Sequence, residues 1–362
     1  MSNAFRDLLR KVGSGPHTSE DLTRSEAAAA TRMMLLQEAT PAQIGAFMIA
    51  HRIKRPTGVE LAGMLDAYDE LGPSLSPIAA RYRPLVMGIP YDGRSRTAPL
   101  SPITALLLTA VGCPVVMHGG RRMPTKEGLP LIEIWQGLGL DWTGLSLPQV
   151  QQVFEQTQLG FLYLPQQFPL AEQLVPYREQ IGKRPPFATL ELFWCPYRGE
   201  SLIVSGFVHP PTEEMARTAF GLRGTRLFVT VKGLEGSCDL PRERTCIVGL
   251  SQSDSSLPMQ RLLLHPRDYG FAGTDEPLGS ASKLIDAMQA LLQGQDSSLA
   301  AAAIWNGGFY LWQCGHAADL ATGLGQAKAL IASGQAAQKL TEVAAAIAQA
   351  QRSTQVAYSA VE

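Results

Sequence analysis

Residues 85 to 126 carry two short apolar strands separated by one helix. The first strand, 85–87, ends in a loop holding Gly88, Asp92 and Gly93. An apolar helix follows over 103–111, then a second strand over 114–117 that stops at His118, Gly119, Gly120, Arg121 and Arg122. A strand, helix and strand joined by a right-handed crossover form a parallel pair, and both strand ends then open on the same edge of the sheet. Ligands of α/β proteins bind at that carboxyl edge. Seven basic residues lie here (Arg81, Arg83, Arg94, Arg96, Arg121, Arg122 and Lys126) against Asp92 alone, in a chain whose net charge is −1. The ligand expected at this edge is therefore anionic.

A chain of 362 residues can bury a large core and is expected to form two lobes. Hydrophobic residues make up 45% and charged residues 17%, a globular balance. Apolar runs fall far short of the ~18 residues that cross a membrane, and residues 1–30 lack the basic-then-apolar order of a signal peptide. A cytoplasmic location and no membrane partner are the expectation. Five scattered cysteines without a C-x-x-C pair argue against a disulfide framework and a structural zinc site.

The first seventy residues read as helices. Thr23 with Glu26, Thr40 with Gln43 and Thr57 with Glu60 each form a capping-box pattern, in which the threonine hydroxyl takes the N3 amide and the N3 side chain reaches back. Pro41 sits at the favoured first helical position. The Pro- and Ser-rich segment 71–84 reads as a hinge. Beyond it, strands at 85–87, 114–117, 160–164, 202–207 and 226–231 alternate with helical rhythm at 130–138 and 211–221. Such alternation predicts a mostly parallel central sheet flanked by helices. Residues 276–293 read as an amphipathic helix, and the Ala-rich stretch from Leu299 to about Ala350 as two or three helices. The expected fold is α/β: a small all-helical lobe over 1–75, a large α/β lobe over 76–352 and a loose tail over 353–362. The helix near 170–182 is expected to pack on the helical lobe.

The helical opening (LLRKVGSGPHTSEDLTRSEAAAATRMML, then EATPAQIGAFMIAHRIKRPTGVELAGM) and the closing NGGFYLWQCGHAADLATGLGQAKALIASGQA resemble the anthranilate phosphoribosyltransferase family, the third family of nucleoside-type glycosyltransferases. The resemblance spans nearly the whole chain, but the middle changes the chemistry. The family's Gly-Thr-Gly-Gly-Asp cradle for the diphosphate of phosphoribosyl diphosphate falls on Gly88, Ile89, Pro90, Tyr91 and Asp92. Glycine cradles work because bare amides approach phosphate and tolerate positive φ; Pro90 has no amide hydrogen, and Ile89 and Tyr91 add bulk. The Asn-x-Ser-Thr segment becomes Thr97 to Pro102 and includes Ser101. Lys-His-Gly-Asn-Arg becomes Met117, His118, Gly119, Gly120 and Arg121, and the magnesium-holding Asp-Glu pair becomes Glu235-Gly236. The acceptor helix keeps its arginine at Arg178, while the segment after it becomes Glu191 to Pro196.

The resemblance implies pentosyl transfer from a ribose diphosphate. Gly88, Asp92, Gly93, Arg94, Arg96, Ser101, His118, Gly119 and Arg121 would hold phosphate and ribose, Arg178 an acceptor, and Glu235 a Mg2+ ion. The altered cradle leaves the acceptor open and argues against anthranilate. Tyr91 to Arg94, His118-Gly119 and Gly233 to Gly236 are similar to a side branch of the family regarded as dimeric nucleic-acid binders. The alternative is therefore a catalytically silent homodimer that binds a nucleic-acid backbone or another phosphate-bearing ligand. Leu35, Leu36, Phe47 and Ile49 in the helical lobe exceed what a small lobe needs and point to a partner face.

Overall fold

The computed structural model describes residues 3–15, 17–252 and 259–359, with side chains described through residue 352. Four helices open the chain: α1 (Asn3–Gly13), α2 (Arg24–Leu35), α3 (Pro41–Lys54) and α4 (Gly58–Leu71). All three capping boxes are present, at Thr23, Thr40 and Thr57. Each reciprocal pair satisfies two amides that the helix start leaves without partners, which sets where α2, α3 and α4 begin.

A seven-stranded sheet follows, made of β1 (Leu85–Gly88), β2 (Val115–Gly119), β3 (Leu159–Tyr163), β4 (Leu202–Gly206), β5 (Phe228–Val231), β6 (Cys246–Leu250) and β7 (Gln260–Leu264). Their order across the sheet is β3-β2-β1-β4-β5-β6-β7. The first five strands pair in parallel; β6 and β7 add an antiparallel edge. β1 lies at the centre of the five parallel strands, with Leu85 opposite both Val115 and Leu202. The sequence rhythm missed β6 and β7. β7 presents exposed residues on both faces, so it carries no alternation to read. The first crossover helix, α5, spans Ser101–Ala110. The Ala-rich region forms helices Ala300–Gln313, Leu320–Ala332 and Gln335–Ser359, and the end of the tail, from 360, lies outside the described residues.

Two apolar clusters hold the molecule. One packs the sheet against its helices. The other begins in the helical lobe at Phe5, Met34 and Phe47 and continues through Tyr68, Phe168, Phe187 and Trp194 to Tyr91 and Met123 at the carboxyl edge of the sheet. Helix Val175–Ile181 contributes Val175 and Tyr177 to this second cluster and packs on α3. Leu35 and Phe47 are buried within the chain itself, and Leu36 and Ile49 are half-buried. The excess apolar surface inferred for the lobe is thus largely consumed at home. The supposed hinge is pinned: the Leu75 amide donates to the Pro196 carbonyl at 3.0 Å, and the Arg198 amide to the Leu75 carbonyl at 3.0 Å. Among the described residues, no helix is long and apolar enough to cross a membrane.

Candidate functional site at the carboxyl edge of the sheet

The loops after β1 and β2 lie where the sequence places them, but their glycines receive protein rather than phosphate. A Cβ on Gly88 would stand 2.0 Å from the carbonyl oxygen of Leu192, so backbone from the 191–194 segment rests directly on the end of β1. Gly93 has φ +70°, and a Cβ there would stand 2.6 Å from the backbone of Gly128. That contact lets the Arg94 and Leu129 backbones pair, with N–H to O distances of 3.1 and 2.7 Å. Between the two glycines Tyr91 turns inward and is buried. Its hydroxyl bonds to His118 Nδ1, and the edges of the Tyr91 and Trp194 rings meet the His118 ring at centroid distances of 5.4 and 5.0 Å. Burial of the His118 imidazole pushes its pKa down to about 3. His118 is therefore a neutral interior ring at physiological pH.

Arg94 also points inward. Its guanidinium is 4% exposed, lies 3.3 Å from Glu235 Oε1 and donates to Asp239 Oδ2 at 2.8 Å and Ser237 Oγ at 2.7 Å. Asp239 accepts as well from the Leu100 amide and the Ser101 hydroxyl, both at 2.9 Å. A helix start attracts an anion because its first amides are unpaired and carry partial positive charge. At α5 that anion is the chain's own Asp239 carboxylate, and Ser101 is occupied by it.

Glu235 sits in a left-handed turn at φ 53°. Its carboxylate is neither in water nor free. Oε1 accepts from the amides of Arg96 and Thr97 and from the Thr97 hydroxyl, each at 3.0 Å. Oε2 accepts from the Ser95 amide at 3.2 Å and pairs with Lys126 Nζ at 2.9 Å. Burial would raise the Glu235 pKa, but Lys126 and the Arg96 and Thr97 amides outweigh it and hold the carboxyl well below the usual carboxylate range. Magnesium prefers carboxylate, phosphate and water oxygens with free lone pairs. This donor set does not fit it, since both carboxylate oxygens are saturated by cations and N–H groups. Among the described residues, no group of three or more His, Cys, Asp or Glu side chains is placed to hold a metal ion.

Arg178 is buried too, and its partner is neither Glu172 nor Glu179 on its own stretch of chain. Arg178 Nη2 donates to Glu191 Oε1 at 2.7 Å, with both side chains at most 6% exposed. Burial pushes the Glu191 carboxyl up to about 8 against the pull of Arg178, and the nearby Asp92 pushes it the same way. Asp92 is itself buried and pairs with Arg184 at 3.3 Å. The acceptor arginine thus faces an internal carboxyl group in place of an external one.

The remaining expected contacts separate. Arg121 pairs with Glu172 and Arg122 with Glu133; both arginines and Glu133 lie toward the surface, while the Glu172 side chain is mostly buried. Arg96 extends into solvent, 78% exposed and 3.8 Å from Glu235. Gly119 is tight as well, with the Phe161 ring 3.3 Å from where a Cβ would be. The arginines do not converge on one hollow. Gly93, Arg94, Ser101 and Asp239 share a recess of ≈ 10 Å³, and Arg178 and Glu191 share another of ≈ 10 Å³ with Tyr68 and Phe187. Each holds about one water, against the ~300 Å³ or more of an ordinary small-molecule site. A roomier cavity, ≈ 470 Å³ around Asp69, Cys195 and Arg223, contains none of the expected site residues.

Sequence reasoning missed Asp239 as a partner of Arg94, and it missed Tyr91 and Trp194 as the fillers of the edge. A signal for the first was available: the turn GLEGSCD keeps a second carboxylate four residues after Glu235.

Comparison with known proteins agrees with this architecture. Residues 6–72 match the helical bundle domain of the glycosyl transferase family, and residues 92–337 match its a/b domain. The anthranilate phosphoribosyltransferase of Azorhizobium caulinodans is 28% identical over 94% of this chain and 96% of its own length. That of Symbiobacterium thermophilum is 29% identical over 75% of this chain and 79% of its own length. Among solved structures, the anthranilate phosphoribosyltransferase of Thermus thermophilus superposes with a TM-score of 0.78 at 22% identity, covering 96% of this chain and 99% of that one. The Saccharomyces cerevisiae enzyme in complex with PRPP and Mg gives 0.80 at 15% identity, over the same shares of the two chains. With both of its domains matched in order and over most of their length, the chain belongs to glycosyl transferase family 3, the anthranilate phosphoribosyltransferase family.

Proposed function

We propose that this chain is a catalytically silent member of the family that binds a phosphate-bearing polyanion, a nucleic-acid backbone, on the outside of its closed cleft. The observation that carries the reading is the closure itself. Backbone from Leu192 covers Gly88, Tyr91 and Trp194 enclose His118, and Glu191 takes Arg178. Pentosyl transfer needs charge stabilisation at a leaving diphosphate and an acceptor held against the sugar, and here the groups suited to both tasks are engaged with one another.

Outside the plug the edge stays basic. Arg52 donates to the Arg184 carbonyl at 2.8 Å, Arg184 reaches Asp92, and Lys126 donates to the Gly93 carbonyl at 2.6 Å beside the Glu235 turn that presents Arg96. This string of contacts connects the segments that carry the exposed side chains of Arg52, Arg184 and Arg96, while the carboxylates of Asp92 and Glu235 are at most 4% exposed; Glu127 is an exposed acid next to Lys126. Several exposed cations spread over neighbouring segments, with no deep hollow between them, suit a polymer of phosphates better than one small molecule. A homodimer would place two such cationic edges on one particle. A cytoplasmic location fits a protein of this kind.

Mobility shift with single-stranded and duplex oligonucleotides tests the proposal. Binding that weakens steeply with salt is expected, because counterion release drives it. Absence of a shift at low salt ends it. Sedimentation as a monomer at micromolar concentration removes the dimer. Transferase activity is the second reading, favoured by the 28% identity to an anthranilate phosphoribosyltransferase across nearly the full chain. Diphosphate release from phosphoribosyl diphosphate in the presence of magnesium and an acceptor would establish it in place of the first.

A further inference from the structure

The Glu235 turn occupies the position where the family's acidic pair falls, yet its electrostatics are complete without an ion. Two carboxylates, Glu235 and Asp239, face two cations, Arg94 and Lys126, in one continuous network. Lys126 Nζ stands 2.9 Å from Glu235 Oε2, and Arg94 bridges the two acids. Three consecutive amides, from Ser95, Arg96 and Thr97, close on the Glu235 carboxylate. A divalent ion entering here would have to expel the ammonium head, dismantle the loop 95–97 and sit within reach of Arg94, which repels it.

We infer that Lys126 and Arg94 replace the divalent metal at this position, so that Glu235 acts as an internal anchor and anion binding at this edge is metal-independent. Glu235 is a positioning residue: through the amides of Ser95 to Thr97 it fixes the loop that carries the exposed Arg96. A metal in this family position would bridge carboxylate to phosphate. Here the carboxylate presents a cationic side chain on its own, and the phosphate partner is the guanidinium of Arg96. The metal-free anchor stands whether or not polyanion binding does; only the clause about the anion rests on the proposed function.

Two measurements on the full chain separate these layers. In the first, Mn2+ is titrated into the free protein and unbound ion is followed by its electron paramagnetic resonance signal. All added Mn2+ is expected to remain free at millimolar concentration. Saturable Mn2+ binding that Glu235→Gln abolishes overturns the inference, whereas binding equal in both forms places the ion elsewhere and leaves Glu235 saturated as inferred. Should Glu235→Gln fail to fold, paramagnetic broadening of the Ser95, Arg96 and Thr97 amides in the unmodified chain decides the same question: broadening refutes, and unchanged lines support. The second measurement compares oligonucleotide affinity in divalent-free buffer with and without EDTA. The same dissociation constant is expected; a tenfold loss that Mg2+ restores refutes metal independence. Absence of oligonucleotide binding under every condition would sink the proposed function alone, and the Mn2+ result would still decide the anchor.

Discussion

Glu191 offers a sharp test of the closed acceptor side. It is fully buried, accepts from Arg178 at 2.7 Å and faces Asp92, Tyr68 and Tyr91. Burial lifts its pKa from an ordinary 4.5 to about 8, so between those values the native chain holds a proton that the unfolded chain has released. Stability is then lost as pH rises, by about 1.4 kcal/mol per pH unit. Buried His118 works in the opposite direction. Its pKa falls from 6.5 to about 3, so between those values only the unfolded chain binds its proton and stability grows with pH. From pH 4.5 to 6.5 the two slopes cancel. Between 6.5 and 8 the Glu191 term dominates, and stability should fall by about 2 kcal/mol by pH 8; the buried thiols of Cys195, Cys238 and Cys246, pushed up by burial, add a further fall only towards pH 9. Below 4.5 His118 is joined by Glu60: its burial is outweighed by His51 and the Leu22 and Thr57 amides, which bring it to about 2, and stability falls as the pH drops. Urea unfolding at half-unit intervals from pH 4 to 9 should give a plateau with two falling sides. Glu191→Gln, which keeps an oxygen for Arg178 and removes the proton, should flatten the alkaline side alone. Equal stability at pH 6.5 and 8.5 in the unmodified chain, or an unchanged alkaline fall in Glu191→Gln, would refute the buried carboxyl group.

Two further outcomes follow from contacts at the same edge. Gly88→Ala drives a methyl to within 2.0 Å of the Leu192 carbonyl oxygen; a loss of about 3 kcal/mol is expected in denaturant unfolding, and an unaffected midpoint would show that the 191–194 segment is not seated on β1. Asp239→Ala strips Arg94 of one partner and the start of α5 of its anion, with an expected loss of about 3–5 kcal/mol, whereas Arg96→Ala, at a 78% exposed site, should leave thermal unfolding unchanged and lower the salt-dependence slope of oligonucleotide binding by about 0.7–0.9.

The sequence disclosed architecture better than it disclosed the site. Capping boxes at Thr23, Thr40 and Thr57 are local patterns whose partners lie three residues away, so they can be read without a fold. The five parallel strands announce themselves as continuous apolar runs because both faces are buried. The direction of a long charged side chain is different. Arg94 and Arg96 look equivalent in sequence, yet one is 4% and the other 78% exposed. What separates them is the placement of Asp239 and Glu235, about 140 residues further on. Arg178 likewise meets Glu191 across a turn, and no periodicity within its own helix specifies that pair. Charge density at the edge was legible; charge pairing required the third dimension.

These pairings share one physical logic. A site that binds a doubly charged diphosphate must keep buried or half-buried cations and amides unsatisfied until the ligand arrives, and that readiness lowers the stability of the empty protein. Four deep positions here have gone the other way. Gly88 receives Leu192, Gly93 receives Gly128, the α5 start receives Asp239, and Arg178 receives Glu191. A change to one of them alone would leave a buried polar group without its partner or an overlap, so the altered loop, the 191–196 segment and the GLEGSCD turn are expected to behave as a coupled set. Single reversions toward the family pattern should therefore destabilise the fold. Glu191 removed by itself frees Arg178 into a chamber still filled by Phe187 and Tyr68, and Pro90 replaced by itself returns one amide to a cradle that Leu192 still covers. The cations left facing solvent are those at the surface, such as Arg96, 78% exposed, and Arg184, 55% exposed even while it pairs with Asp92.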